Sequence, residues 1–177
     1  MKSNERDTMK DTSVCIGLID PKSPSNVGAV LRAAGCYGAD AVHYTGSRYD
    51  RAARFQTDTK NVSSTIPLVH VTNLLDELAD HTRLVCVELV EGATSLPQFQ
   101  HPAHALYVFG PEDGSLSQEL VDRADAVVYI PTIGCMNLAA TVNVVLYDRL
   151  AKSAAASGSD QLIRQSRYTN NKSVKTA

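Results

Sequence analysis

Short β-branched apolar runs alternate with helix-patterned stretches along most of this chain, and that alternation limits its fold more than any other feature. Six runs predict strands: 14–19 (VCIGLI), 41–45, 67–71, 83–89 (RLVCVEL), 104–109 (HALYVF) and 126–130 (AVVYI). Apolar spacing predicts helices over 27–37, 72–81, 115–123 and 136–155. Ser25 or Asn26 would cap the first helix and Gly38 would close it; Thr72 or Asn73 would cap the second; Ser115 with Gln118 resembles a capping box for the third. Strands therefore recur roughly every 25–30 residues with helices between them, the pattern of repeated βαβ units. The fold class is α/β, with a parallel sheet and helices on both faces. Ligands on such sheets bind beyond the carboxyl ends of the strands, and the loops at 20–28 and 110–114 follow strands directly.

The chain has 177 residues, enough for one core, and no internal repeat suggests a second. Seventeen Lys and Arg against nineteen Asp and Glu give a formal net charge of −2, which excludes a strongly basic nucleic-acid coat but allows a local basic patch. Residues 1–12 read as a disordered lead with no apolar signal segment, 13–156 as a single domain and 157–177 as a polar basic tail. No run approaches the ~20 apolar residues of a membrane span. Cys15, Cys36, Cys86 and Cys135 lack metal-ligand spacing, so reduced thiols, no metal and a cytoplasmic location are expected. His43, His70, His81, His101 and His104 are scattered and read as structural or surface groups.

Three segments are candidates for chemistry. In Asn26-x-Gly28-x-x-x-Arg32, Asn26 falls near a helix start and Arg32 one turn beyond Gly28, a possible phosphate clamp or simply a capped helix with a surface arginine. In Phe109-Gly110-Pro111-Glu112-Asp113-Gly114 a strand enters a glycine turn bearing an acid, and neither the dinucleotide nor the P-loop fingerprint is met; an ordinary βα turn is the alternative. In Ile130-Pro131-Thr132-Ile133-Gly134-Cys135-Met136-Asn137-Leu138, proline stops the strand and leaves backbone groups in an apolar setting suited to an adenine, or else Asn137 merely caps a helix.

Together and in this order, NVGAVLR, FGPEDG, IPTIG and CMNLAATVNVVLYD resemble the SpoU, or TrmH, branch of the SPOUT RNA methyltransferases, over residues 14–151. Two departures stand out: Cys135 replaces the usual serine, and the loop from Pro131 to Cys135 is short. The resemblance implies a C-terminal trefoil knot over roughly 84–152 and a homodimer with its active site across the interface. It implies S-adenosylmethionine held by the loops at 86–92, 110–114 and 130–138, with Glu88, Leu89, Gly110, Glu112, Gly114, Ile130, Cys135, Met136 and Leu138 as its contacts. It implies methylation of a ribose 2′-OH in RNA, with Arg32, Asn26, Glu112 and Asn137 as catalytic residues. A guanidinium keeps its proton in water, so Arg32 is expected to steady a phosphate and the developing alkoxide rather than to act as a base. Arg48, Arg51, Arg54 and Lys60 are expected to meet the RNA backbone, unless they form only a solvated face. Within the chain no appended RNA-binding domain is evident, which favours tRNA over rRNA by analogy. A base methyltransferase of the same fold and a catalytically silent RNA-binding or assembly factor are the alternatives.

Overall fold

The computed structural model describes residues 11–54 and 66–175. Seven strands, β1 (Ser13–Leu18), β2 (Ala41–Tyr44), β3 (Leu68–His70), β4 (Arg83–Val87), β5 (Thr94–Ser95), β6 (His104–Phe109) and β7 (Ala126–Tyr129), form one sheet in the order β3-β2-β1-β6-β4-β7-β5. All pairings are parallel, in register from Ser13 opposite His104 to Leu18 opposite Phe109 across the central pair. Such strands are covered on both sides, which is why β6 is apolar almost throughout. Alternate residues feed two cores. Ile16, Leu18, Val85, Tyr107 and Phe109 pack on one face beneath α1 (Pro24–Tyr37) and α4 (Leu138–Ala151). Leu84, Cys86, Leu106 and Val108 pack on the other, beneath Leu74, Leu116 and α3 (Gln118–Arg123).

Several boundaries depart from the sequence-based expectation. The cap of α1 is Ser23, not Ser25 or Asn26, because Pro24 occupies the first helical position, where its missing N–H costs nothing. Gly38 closes α1 at φ 71°, as its position suggests. The stretch 72–81 is no helix. Leu74–Glu77 makes one 3₁₀ turn capped by Asn73, and Asn73 also donates to Asp76, a local side-chain bond that competes with helix propagation. The third helix starts at Gln118 with Ser117 as cap, since the Leu116 amide is already taken by the Glu88 carboxylate at 3.0 Å. The last long helix runs from Leu138 to Ala151 rather than 136–155. Asn137 caps it, and the Lys152 ammonium turns back onto the Leu96 and Phe99 carbonyls at 2.6 and 3.1 Å.

Between β2 and β3, where no helix is expected, Arg48–Ala53 forms α2. It has no side-chain cap and is held by its neighbours: the Tyr44 hydroxyl donates to Asp50 at 2.6 Å, and the Tyr44 and Tyr49 rings meet edge to face. Residues 55–65 lie outside the described residues. The two-residue strand β5 and the 3₁₀ turn at Leu96–Gln98 carry no periodic signal and go unpredicted. Within the stretch read as a polar tail, Asp160–Ser166 forms α5, with no buried residue. Among the described residues no helix is long and apolar enough to cross a membrane.

Candidate active site

Three loops leave the carboxyl ends of neighbouring strands: 87–89 after β4, 110–114 after β6 and 130–137 after β7. They enclose a cavity of about 290 Å³, at the small end of the ~300–1,000 Å³ typical of small-ligand sites. Its walls mix apolar side chains (Leu89, Ile130, Met136, Leu138) with the carboxylate of Glu88 and main-chain groups. The 130–137 loop folds on itself, the Thr132 hydroxyl donating to the Gly134 carbonyl at 2.7 Å. The amides of Cys135 and Met136 have no hydrogen-bond acceptor among the described residues, which leaves donors available at the cavity wall. Glu88 ties two walls together, accepting from its neighbour Leu89 at 2.9 Å and from Leu116 at 3.0 Å. Gly110 lies against that carboxylate. A Cβ there would sit 3.4 Å from Glu88 Oε2 and from the Leu116 amide, so a side chain would press on the loop junction.

Beside the cavity a string of side chains joins three elements. The Glu112 carboxylate accepts from the Lys22 amide at 2.8 Å, the Ser23 amide at 3.0 Å and the Asn26 side chain at 3.0 Å. Asn26 in turn accepts from the Asn137 side chain at 3.0 Å, while Asn137 caps α4 through the Ala139 and Ala140 amides. Partial burial alone would raise the Glu112 carboxyl, but the bonds from Asn26 and the Lys22 and Ser23 amides outweigh it and hold the group below its ordinary range. Neighbouring Asp113 accepts both terminal nitrogens of Arg48 at 2.8 Å, with the Lys22 ammonium at 3.3 Å. The Arg48 Nε lies 3.6 Å from Asp20.

Every residue expected to contact the cofactor lines this cavity: Glu88, Leu89, Gly110, Glu112, Gly114, Ile130, Cys135, Met136 and Leu138. So do Asn26 and Asn137, the other two members of the side-chain string. Arg32 does not. It stands on the exposed face of α1, with no hydrogen bond or ion pair among the described residues. Arg51 and Arg54 are exposed on and just after α2, whereas Arg48 is engaged by Asp113 instead of being free for RNA, and Lys60 lies outside the described residues. Sequence reading missed the Arg48–Asp113 bracket and the contributions of Val87, Tyr129, Thr132 and Thr141 to the walls. Only the adjacency of two acids in the 110–114 turn hinted at the bracket.

The pattern of the SpoU rRNA Methylase family matches residues 13–147, most of the chain and all of the elements that build this cavity. The chain belongs to the SpoU rRNA Methylase family. Among curated relatives, a Staphylococcus epidermidis protein assigned to the TrmH family of tRNA/rRNA methyltransferases is 29% identical over 145 residues, covering 77% of this chain and 57% of its own length. Among solved structures, the SpoU methyltransferase AviRb from Streptomyces viridochromogenes in complex with AdoMet superposes with a TM-score of 0.68 at 20% identity, over 85% of this chain and 61% of that one. A structure concerned with 2-OH methylation of C/U34 on tRNA gives 0.66 at 22% identity, over 81% of this chain and 97% of that one. The chain thus spans about 57–61% of the first two of these family members, and the structural likenesses establish the SpoU fold.

Proposed function

We propose that this SpoU-family chain is an S-adenosylmethionine-dependent methyltransferase acting on a ribose 2′-OH in RNA, with tRNA favoured over rRNA. The observation that carries the reading is the Asn137–Asn26–Glu112 string, which fixes the start of α1 against the rim of the three-loop cavity. The cavity suits a nucleoside sulfonium: apolar walls for a base, unspent main-chain donors at Cys135 and Met136 for its edge, and Glu88 for a ribose or cation. Leu89, Gly110, Gly114, Ile130 and Leu138 would complete the contact set. The cofactor, when bound, supplies an electrophilic methyl group. The tRNA preference leans on the likeness of fold to the neighbour concerned with 2-OH methylation of C/U34 on tRNA.

The protein's own share is to exclude water, hold the hydroxyl oxygen and manage its proton. Arg32 is the candidate for the last two tasks. A guanidinium stays charged, so Arg32 orients the adjoining phosphate and stabilises negative charge growing on the oxygen, and the phosphate or a water takes the proton. Arg32 is absent from its own chain's cavity, and the α1–α4 layer presents a face suited to a second copy. A Cβ on Gly28 would meet nothing within 4 Å, and Tyr147 is 61% exposed. We infer a homodimer in which Arg32 of one copy serves the cavity of the other, and a C-terminal trefoil knot formed where the 130–137 loop returns beside 87–89 and 110–114. Arg51 and Arg54 are the RNA-backbone contacts in this reading. The test combines calorimetry with S-adenosylmethionine and transfer of a labelled methyl group to total RNA. Arg32→Ala should bind the cofactor within a few-fold of wild type and transfer nothing. Near-normal turnover in Arg32→Lys would overturn the bidentate role.

A further inference from the structure

A second cavity, of about 270 Å³, opens at the same edge of the sheet as the first but over its other face, beyond the carboxyl ends of β1, β2 and β3. Its floor is apolar, formed by Leu74, which is 2% exposed, and Leu120. Its rim is polar: Thr45, Thr72, Glu119 and Arg123. The rim groups are not consumed by the fold. The Thr45 hydroxyl accepts from the Asp20 amide at 3.2 Å and keeps its proton, and the Thr72 hydroxyl has no partner among the described residues. Glu119 and Arg123 face each other at 4.0 Å, 84% and 57% exposed, a pairing too solvated to hold them together strongly. The two cavities share their separating ridge. Gly114 lines the first and Ser117 the second, three residues apart and so at most ~11 Å between Cα atoms. Lys22, whose side chain is 64% exposed, stands on the companion loop.

We propose that this second cavity is a subsite for an unpaired guanine of the RNA substrate, a nucleotide or two from the one whose 2′-OH faces the cofactor in the first cavity. The inference rests on the RNA-methyltransferase reading above and adds a determinant of which RNA is chosen. Sequence-specific RNA recognition takes unstacked bases into slots that combine an apolar surface with hydrogen-bonding edges. A guanidinium fork beside a carboxylate matches guanine better than any other base. Arginine donates to O6 and N7, while the carboxylate accepts from the N1 and N2 hydrogens.

The experiment follows backbone amide shifts of the full chain during titration with the four nucleoside 5′-monophosphates, with S-adenosylmethionine affinity measured in parallel by calorimetry. GMP should move the Thr45, Thr72 and Leu120 amides at concentrations where AMP, CMP and UMP do not. Glu119→Gln and Arg123→Met should each weaken that response by about tenfold, with cofactor affinity unchanged. No shift with any nucleotide, equal shifts with all four, or a GMP response indifferent to both substitutions overturns the subsite. If the cofactor binds normally in that event, the methyltransferase reading stands without it. If GMP binds here but S-adenosylmethionine does not bind the wild-type chain, the methyltransferase reading falls, and with it the assignment of this cavity to that enzyme's RNA.

Discussion

Glu112 shows how much one side chain does at this site. Its two oxygens take two amides at the entry to α1 and the Asn26 side chain, so the carboxylate serves as an anion bound where the helix dipole favours one. Its native pKa lies below the ordinary value, so the unfolded chain binds the proton more readily. The stability it contributes is present above the ordinary carboxyl pKa and is lost as pH falls through the native one. Glu112→Gln turns an amide group toward donors and should cost roughly 1–3 kcal/mol. Thermal melts at neutral pH would show this as a lowered Tm, and the variant's acid dependence should be shallower than that of wild type. An unchanged Tm would show that the string is ornamental. Gly46 is the second residue whose identity the backbone demands. Its φ is 76°, and a Cβ there would overlap the Asp20 side chain. Gly46→Ala should therefore destabilise by about 1–3 kcal/mol, read by chemical denaturation.

At the scale of elements, α4 is held at both ends, by Asn137 at the cavity and by a half-buried polar cluster at its far end. His101, with 5% of its side chain exposed, meets Asp148 at 2.8 Å and the Tyr107 hydroxyl at 2.6 Å. Arg149 donates to Tyr107 and to the Pro102 and Ala103 carbonyls, and Lys152 pairs with Asp148 at 2.7 Å. A carboxylate only accepts, so the His101 Nε2 donates to it; the neutral ring then accepts from Tyr107 at Nδ1. Protonation would leave the Tyr107 hydroxyl without that acceptor. Burial lowers the His101 pKa, against the Asp148 bond that raises it, with Arg149 and Lys152 adding to the lowering. The sign is the same as for Glu112: stability is full above the ordinary histidine value near ~6.5 and falls as pH drops through the native one. Melts between pH 7 and 5 should show wild type losing stability, with His101→Gln lower at neutral pH and flatter across the range. The sequence gives no hint of this cluster, because partners such as His101 and Asp148 lie 47 residues apart and share no spacing. The strands were legible because parallel central strands are apolar runs. The cavity was legible as well, since its loops follow those runs and carry their own turn chemistry at Gly110 and Pro131. What escaped leaves no periodic trace: α2 is held through Tyr44 and Asp50, the 3₁₀ turn at 74–77 through the Asn73 side-chain bonds, and the Arg48 bracket through two acids on distant loops.

For the molecule as a whole, the decisive geometry is the separation of Arg32 from the cavity of its own chain. A helix side chain cannot swing across α1 to reach a pocket lined by Asn26, because six residues along a helix leave the two pointing about 120° apart. If the reaction needs both, two copies must meet through the α1–α4 layer. Mixing Arg32→Ala with a cavity-blocked variant such as Gly110→Val, each inactive alone, should restore methyl transfer once the copies exchange. The RNA itself should approach along α2. Reversing Arg51 and Arg54 to glutamate should weaken RNA binding and flatten its salt dependence, since each lost phosphate contact removes roughly one counterion from the slope. Arg48→Ala should act differently, lowering stability and cofactor affinity through the loosened 110–114 loop and leaving the salt slope nearly unchanged. A slope indifferent to the reversal of Arg51 and Arg54 would exclude the path along α2.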